Sequence, residues 1–292
     1  MKRILFCRHM AMVLLAAVIV LSGCAGMRRR AFAPESARYD GPLDWPSIHA
    51  WLKARDPAVP VQTLQSEWKI TLTAPEGAGR TALRANVLLE PPDHVRFRAY
   101  KVATLVMDLL VEGPDVMIHD RLENKIYKGS TLELREHEWV LSQLNPGQLS
   151  QLLLIEQYLR DGLAEGWFYE APGPARRSAT GHIVLLTAGV GGPLVEALAV
   201  RPDTLLVERV GLYRQDGTQL KRLPLQVDYE QYRLYDGWLL PRRLRLSNTQ
   251  TGGSILLEAS HYSINPPLHP KTFVMPVRDS TPVLPLSTLW SR

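Results

Sequence analysis

From Trp68 onward the side chains alternate. In "WKITLTA" the apolar Trp68, Ile70, Leu72 and Ala74 are separated by Lys69, Thr71 and Thr73. A period of two puts one set of side chains on each face of a strand, so only a sheet with one oily face and one polar face accommodates the pattern. The pattern then repeats between turn signals. Leu83, Ala85, Val87 and Leu89 follow "PEGAGR"; Val95, Phe97 and Ala99 follow Pro91-Pro92-Asp93; Leu105, Met107, Leu109 and Val111 precede "EGPD"; Val116 and Ile118 come after it. Short connections between alternating runs specify antiparallel neighbours.

The same grammar resumes later with "GWFYE", "HIVLLTA", "VEALAV" and "TLLVERVGLYR". Asp216-Gly217 and Asp236-Gly237 are hairpin turns. They lead into Leu223, Leu225, Val227 and Tyr229, then Trp238, Leu240, Leu244 and Leu246, and finally Ile255, Leu257 and Ala259. About eleven strands exceed what stays flat, so the sheet is expected to curl.

Helical patterns interrupt the strands. Asp44 and Pro46 open a short helix carrying Ile48, Trp51 and Leu52, which ends before Asp56-Pro57. Ser130 and Glu133 have capping-box spacing, ahead of Leu134, Val140, Leu141 and Leu144. Asn145-Pro146-Gly147-Gln148 opens a further helix that is expected to run to about Arg160 and stop at Asp161-Gly162. Its apolar arc, from Leu149 through Leu152, Leu153, Ile155, Tyr158 and Leu159, is too broad for a surface helix. The fold class is therefore mainly β, a curled antiparallel sheet covered by a helical lid inserted at about 131–160.

Ahead of this body, Lys2, Arg3 and Arg8 precede an uncharged apolar run over residues 10–21. Twelve residues suit a signal peptide and are too few to span a bilayer, which takes about 20. The run ends Leu21-Ser22-Gly23-Cys24, which resembles a bacterial lipobox. That resemblance implies cleavage after residue 23 and acylation of Cys24. Residues 24–43 then form a tether, 44–276 the folded domain and 277–292 a C-terminal tail. Ala25 and Gly26 carry no aspartate. By resemblance to the sorting rule of enteric bacteria, this favours a lipid anchor in the outer membrane, facing the periplasm.

The only other cysteine, Cys7, leaves with the leader, so a disulfide has no partners and stability rests on the core. The formal charge of +5 falls to +2 without the three leader cations. No basic stripe is interleaved with aromatics, which argues against nucleic acid.

Several stretches occur together and in order: "PPDHVRFRAYK", "LENKIYKG", "VRPDTLLVERVGLYRQDG", "YDGWLLPRRLRL" and "INPPLHPKTFVMP". Over roughly residues 65–276 they resemble the lipoprotein-localisation-factor superfamily, the LolA/LolB-like proteins. The resemblance implies an unclosed half-barrel with a helical lid, whose apolar concavity holds acyl chains of lipids or lipoproteins. Asn265, Pro266 and Phe273 match the family's terminal strand pattern, while the Gly-rich opening strand of its outer-membrane receptor branch is missing here. Candidate concavity residues are Trp68, Phe97, Met107, Leu109, Leu153 and Leu225; each also has a plain reading as core. Arg242 interrupts the row Trp238, Leu240, Leu244, where it would meet a headgroup or lid carbonyls unless a bulge at Pro241 turns it outward.

Other chemistries find little support. "GVGGP" at 189–193 has Leu194 where a dinucleotide loop needs a small residue, and the antiparallel context denies it a βαβ unit. His49, His94, His119, His137, His182, His261 and His269 form no zinc-binding pair, and there is no G-x-S-x-G elbow. The expectation is a binding protein without enzymatic activity, metal or cofactor. Its partners would be membrane lipids or lipoprotein acyl chains. A second reading is an envelope sensor or scaffold that docks a protein partner by an apolar patch or strand edge.

Overall fold

A computed structural model of the chain describes residues 38–42, 44–55, 59–75, 79–131, 133, 146–170, 182–188, 194–216 and 219–290. Cys24 with the leader, the helix body at 134–145, His137 and the "GVGGP" stretch lie outside these.

Among the described residues the alternating runs become one sheet of fourteen strands. Six come first: β1 (Leu64–Thr73), β2 (Arg80–Glu90), β3 (His94–Lys101), β4 (Thr104–Glu112), β5 (Asp115–Asp120) and β6 (Lys125–Ser130). After the helices come β7 (Phe168–Glu170), β8 (Ile183–Ala188), β9 (Leu194–Val200) and β10 (Val207–Asp216). The last are β11 (Gln219–Tyr235), β12 (Trp238–Asn248), β13 (Ser254–Ile264) and β14 (Val283–Pro285). Their spatial order is β14-β6-β5-β4-β3-β2-β1-β13-β12-β11-β10-β9-β8-β7, so two antiparallel meanders join where β1 pairs with β13. The edges, β14 and β7, are not paired with each other, and the sheet is open.

The count of about eleven strands is corrected upward. β6 holds only two adjacent apolar residues, Ile126 and Tyr127, and so shows no alternation; β14 is three residues long and ends in proline. β14 is also the parallel exception, lying alongside Ile126–Lys128.

The helices follow their caps. In α1 (Trp45–Ala54) the Asp44 carboxylate accepts from Ser47 N at 2.9 Å, and Ile48 and Leu52 are buried. The capping box forms as spaced: Ser130 N donates to Glu133 Oε1 at 3.0 Å, and Glu133 N to Ser130 Oγ at 3.4 Å. α2 (Pro146–Leu153) packs against β3; after a break at Leu154, α3 (Ile155–Ala164) packs against β12 and α1. The expected stop at Asp161-Gly162 is wrong. Gly162 lies on the buried face of α3, and the helix ends one turn later at Gly166, whose φ is +72°. There Trp167 N donates to Gly162 O at 2.7 Å and Gly166 N to Leu163 O at 3.3 Å, a Schellman pair.

Three features depart from a simple two-faced sheet. Tyr39, inside the stretch expected to be tether, is buried: its N–H donates to Asp203 O at 2.6 Å and its ring meets Trp51 edge-on. The face of β3–β5 that carries polar residues is not solvated either. Arg96 and Asp108 are 2% and 1% exposed and form a bidentate pair at 3.0 and 2.8 Å. Arg96 Nη1 also donates to the carbonyls of Thr272 and Val274, at 2.6 and 3.1 Å. The chain after β13 thus crosses the outer face, pinned by one guanidinium, and Phe273 packs against His94. It then joins β6 as β14 and ends in a short 3-10 turn, Leu286–Trp290. Leu286 is fully buried against Gly129, where a Cβ would stand 2.6 Å from that of Leu286 and 2.8 Å from the Glu133 carboxylate. The tail left without structure by its prolines is a strap with an anchor.

Arg96→Ala is expected to cost about 3–5 kcal/mol in chemical denaturation, because it leaves Asp108 buried beside weaker partners and unpins the strap. Replacing both residues by apolar ones, Arg96→Met with Asp108→Leu, is expected to cost less than the single change.

Candidate functional site

The core lies on one face, here called inner, and the register sets its side chains in rows. One row crosses β2–β6 as Val87, Phe97, Leu109, Ile118 and Tyr127. The next runs through Trp68, Ala85, Ala99 and Met107. A third joins Leu244, Leu257, Ile70 and Leu83. Sheet pleating places each row's side chains side by side.

Burial divides this face into two parts. Across β8–β12 it is closed. Leu185, Leu198, Leu225 and Leu240 are at most 2% exposed, and α3 lays Ile155 and Leu159 into the same cluster. Across β1–β5 the centre is half-buried: Leu72, Leu83, Phe97, Met107, Leu109 and Ile118, with Leu257 from β13. Fully buried Val87, Val95, Val111 and Tyr127 border this strip, and Ala85 and Ala99 make a low floor between Trp68 and Met107.

The seven sequence-derived candidates therefore separate. Phe97, Met107 and Leu109 sit together in the half-buried strip. Trp68, Leu153 and Leu225 are 2–3% exposed and belong to the closed core. The Trp68 indole N–H donates to Ser66 Oγ at 2.7 Å, and its ring meets Tyr262 edge-on. Arg242 is half-buried and its Nε donates to Ala259 O at 3.2 Å, a backbone carbonyl of β13. The irregularity beside it lies across the ladder, where Gln231 has φ +59°; Pro241 keeps register opposite Tyr232. Leu72, Leu83, Ile118 and Leu257 complete the strip. The alternation marked each as inward, and only the register shows that they adjoin Phe97 and Leu109.

A polar nest closes the helical end. Glu156, 2% exposed on the sheet side of α3, accepts from Arg55 Nη2 at 2.5 Å, while Arg55 Nη1 donates to Thr204 O at 3.3 Å. The Arg55 guanidinium lies 4.5 Å over Trp51, and that of Arg160 4.0 Å over Trp238. The Tyr232 hydroxyl donates to Val207 O at 2.7 Å. Burial pushes the Glu156 carboxyl above its ordinary 4.5, against the pull of Arg55, Arg160 and the Val207 amide. A carboxyl raised in the folded state holds its proton longer there than in the unfolded chain. Its stabilising effect is full below 4.5 and is lost as pH rises through the window above it. The melting temperature of Glu156→Gln, relative to the parent, is therefore expected to climb as pH rises from about 4 to 7; a flat difference contradicts the assignment.

Among the described residues no three His, Cys, Asp or Glu side chains are grouped to hold a metal, and no helix is long and apolar enough to cross a membrane.

No family model and no curated protein sequence matches the chain. Solved structures do. A domain named for outer membrane lipoprotein sorting, from Vibrio parahaemolyticus, is 15% identical; the match covers 78% of this chain and 95% of that domain, with a TM-score of 0.52. A DUF1329 family protein from Desulfovibrio piger is 14% identical over 78% of this chain and 94% of its own, with a TM-score of 0.54. A LolA superfamily protein from Nitrosomonas europaea is 16% identical over 80% and 99%, with a TM-score of 0.52. The open sheet with helices on its inner face is thus the LolA-like fold.

Proposed function

We propose that the chain is a membrane-tethered envelope lipoprotein that takes up acyl chains of lipids or lipoproteins on the half-buried strip of its inner face. The observation that carries this reading is the contiguous apolar strip Leu83, Phe97, Met107, Leu109 and Ile118, left partly open beside the fully buried Val87, Val95, Val111 and Tyr127. Similarity in fold to a domain named for outer membrane lipoprotein sorting and to a LolA superfamily protein supports the cargo class.

The energetics suit a carrier. Burying a sixteen-carbon chain is worth on the order of 10 kcal/mol, at about 0.8 per methylene, and leaving a bilayer costs about as much. Transfer is then close to neutral, and small differences in packing set its direction without nucleotide or metal. Acylation of Cys24 would hold the strip beside its source, because two or more acyl chains anchor stably where one does not. The helices α2 and α3 serve as part of the lid.

Every residue of the core cluster lies at or beyond Tyr39, so a chain of residues 25–292 keeps the whole core. Titrated with a fluorescent fatty acid, it is expected to bind saturably. Leu109→Asp should weaken that binding about tenfold, since a carboxylate would have to be desolvated against the chain. Absence of saturable binding sinks the reading. In cells, labelled palmitate is expected on the full-length chain and not on Cys24→Ser.

A further inference from the structure

On the outer face the register builds a second kind of row. Glu230 on β11 lies opposite Arg243 on β12, Arg243 opposite Glu258 on β13, and Glu258 opposite Lys69 on β1. The signs alternate, and Arg243 reaches its neighbours at 3.1 and 3.8 Å. In an adjoining row Asp228 faces both Arg209, at 2.6 Å, and Arg245. The alternation then fails. Lys69 stands directly opposite Arg84, and beyond Arg84 comes Tyr100. Like charges directly opposite in a sheet are destabilising.

More cations gather at this corner. Arg80 begins β2, and Lys101 ends β3 beside the next turn. Lys69, Arg80, Arg84 and Lys101 are exposed, and among the described residues none of them makes an ion pair. Half-buried Arg98 and Arg121 approach Asp108 at 3.7 and 3.6 Å, although that carboxylate is already bound on both oxygens by Arg96. Two guanidinium groups thus share the remainder of one charge. Of the acids at this corner, Glu258 opposite Lys69 is shared with Arg243, Asp120 accepts from the amides of Leu122 and Glu123, Glu123 pairs with Lys125, and Glu67 faces Asn86 and His261 and makes no ion pair among the described residues. A sheet that balances its outer-face charges elsewhere tolerates an imbalance here, and a local rule broken without compensation marks a functional surface.

We infer that this corner of the outer face docks an anionic membrane surface, with Lys69, Arg84, Arg98 and Arg121 meeting the phosphates of acidic lipids. Lys69, Arg84 and Arg98 stand on the adjacent strands β1, β2 and β3, which lie about 4.8 Å apart, and Arg121 stands in the turn after β5. That spread suits a diffuse sheet of charge better than an extended acidic peptide. The turns after β3 and β5 reach the same end of the meander and hold Val102 and Leu122, 90% and 73% exposed; Val102 follows Lys101, and Leu122 follows Arg121 and precedes Glu123, which pairs with Lys125. Apolar tips beside cations fit a headgroup layer, whereas a soluble acidic partner has no use for them. This inference does not depend on the acyl-chain strip, which lies on the opposite face.

Co-sedimentation of residues 25–292 with vesicles tests it. Binding is expected to vesicles of phosphatidylcholine and phosphatidylglycerol in equal parts and not to phosphatidylcholine alone. It should vanish at about 1 M salt, where screening falls to roughly 3 Å. Arg84→Glu is expected to lower the partition about fivefold or more, and adding Arg80→Glu to lower it further. The melting temperature of Arg84→Glu should equal or exceed the parent's, because an acid then faces Lys69. Its affinity for the fatty-acid probe should be unchanged, so the two proposals fail separately. Equal binding to both vesicle types, no vesicle binding, indifference to the reversals, or retention on polyglutamate without vesicle binding would each overturn the inference.

Discussion

An open antiparallel sheet has a problem that a closed barrel avoids: two faces and two edges must all be dealt with by the rest of the chain. Here fourteen strands impose that constraint, and nearly every other element answers it. α1 and α3 close the inner face across β8–β12 through the Arg55–Glu156 contact. The strap after β13 covers the outer face of β3–β5, and its terminal strand occupies the edge at β6. The part of the inner face left half-buried is the part for which a function is proposed.

Much of this was legible. Alternation in Trp68–Ile70–Leu72 and its successors fixed which residues point inward, and the Asp-Gly turns fixed antiparallel order. Asp44, Ser130 and Glu133 cap where their spacing placed them. Three things were not legible, each for a physical reason. β6 is short and takes its stability from its neighbours instead of from its own pattern. Gly162 read as a stop because glycine ends helices, yet here it is buried within the helix while Gly166 supplies the left-handed residue. Arg96, by its alternation with Val95 and Phe97, falls on the polar face, and sequence does not reveal that a segment some 176 positions later returns to cover it.

The candidate residues show the same limit. Phe97, Met107 and Leu109 are indistinguishable by type or period from Trp68 and Leu225. What separates them is which neighbours cover them, a property of tertiary packing. The outer-face charges carry the complementary lesson. Lys69 and Arg84 look like ordinary polar positions until pairing sets them face to face.

The docking of Tyr39 bears on how far such a protein can travel. With its amide on Asp203 O and its ring on Trp51, Tyr39 is fixed to the folded body, and about fifteen residues separate it from Cys24, the proposed anchor. Fully stretched, such a leash spans about 50 Å. Were Cys24 acylated as proposed, a domain held within that radius could present either face to its own bilayer but could not ferry anything across the space between two membranes.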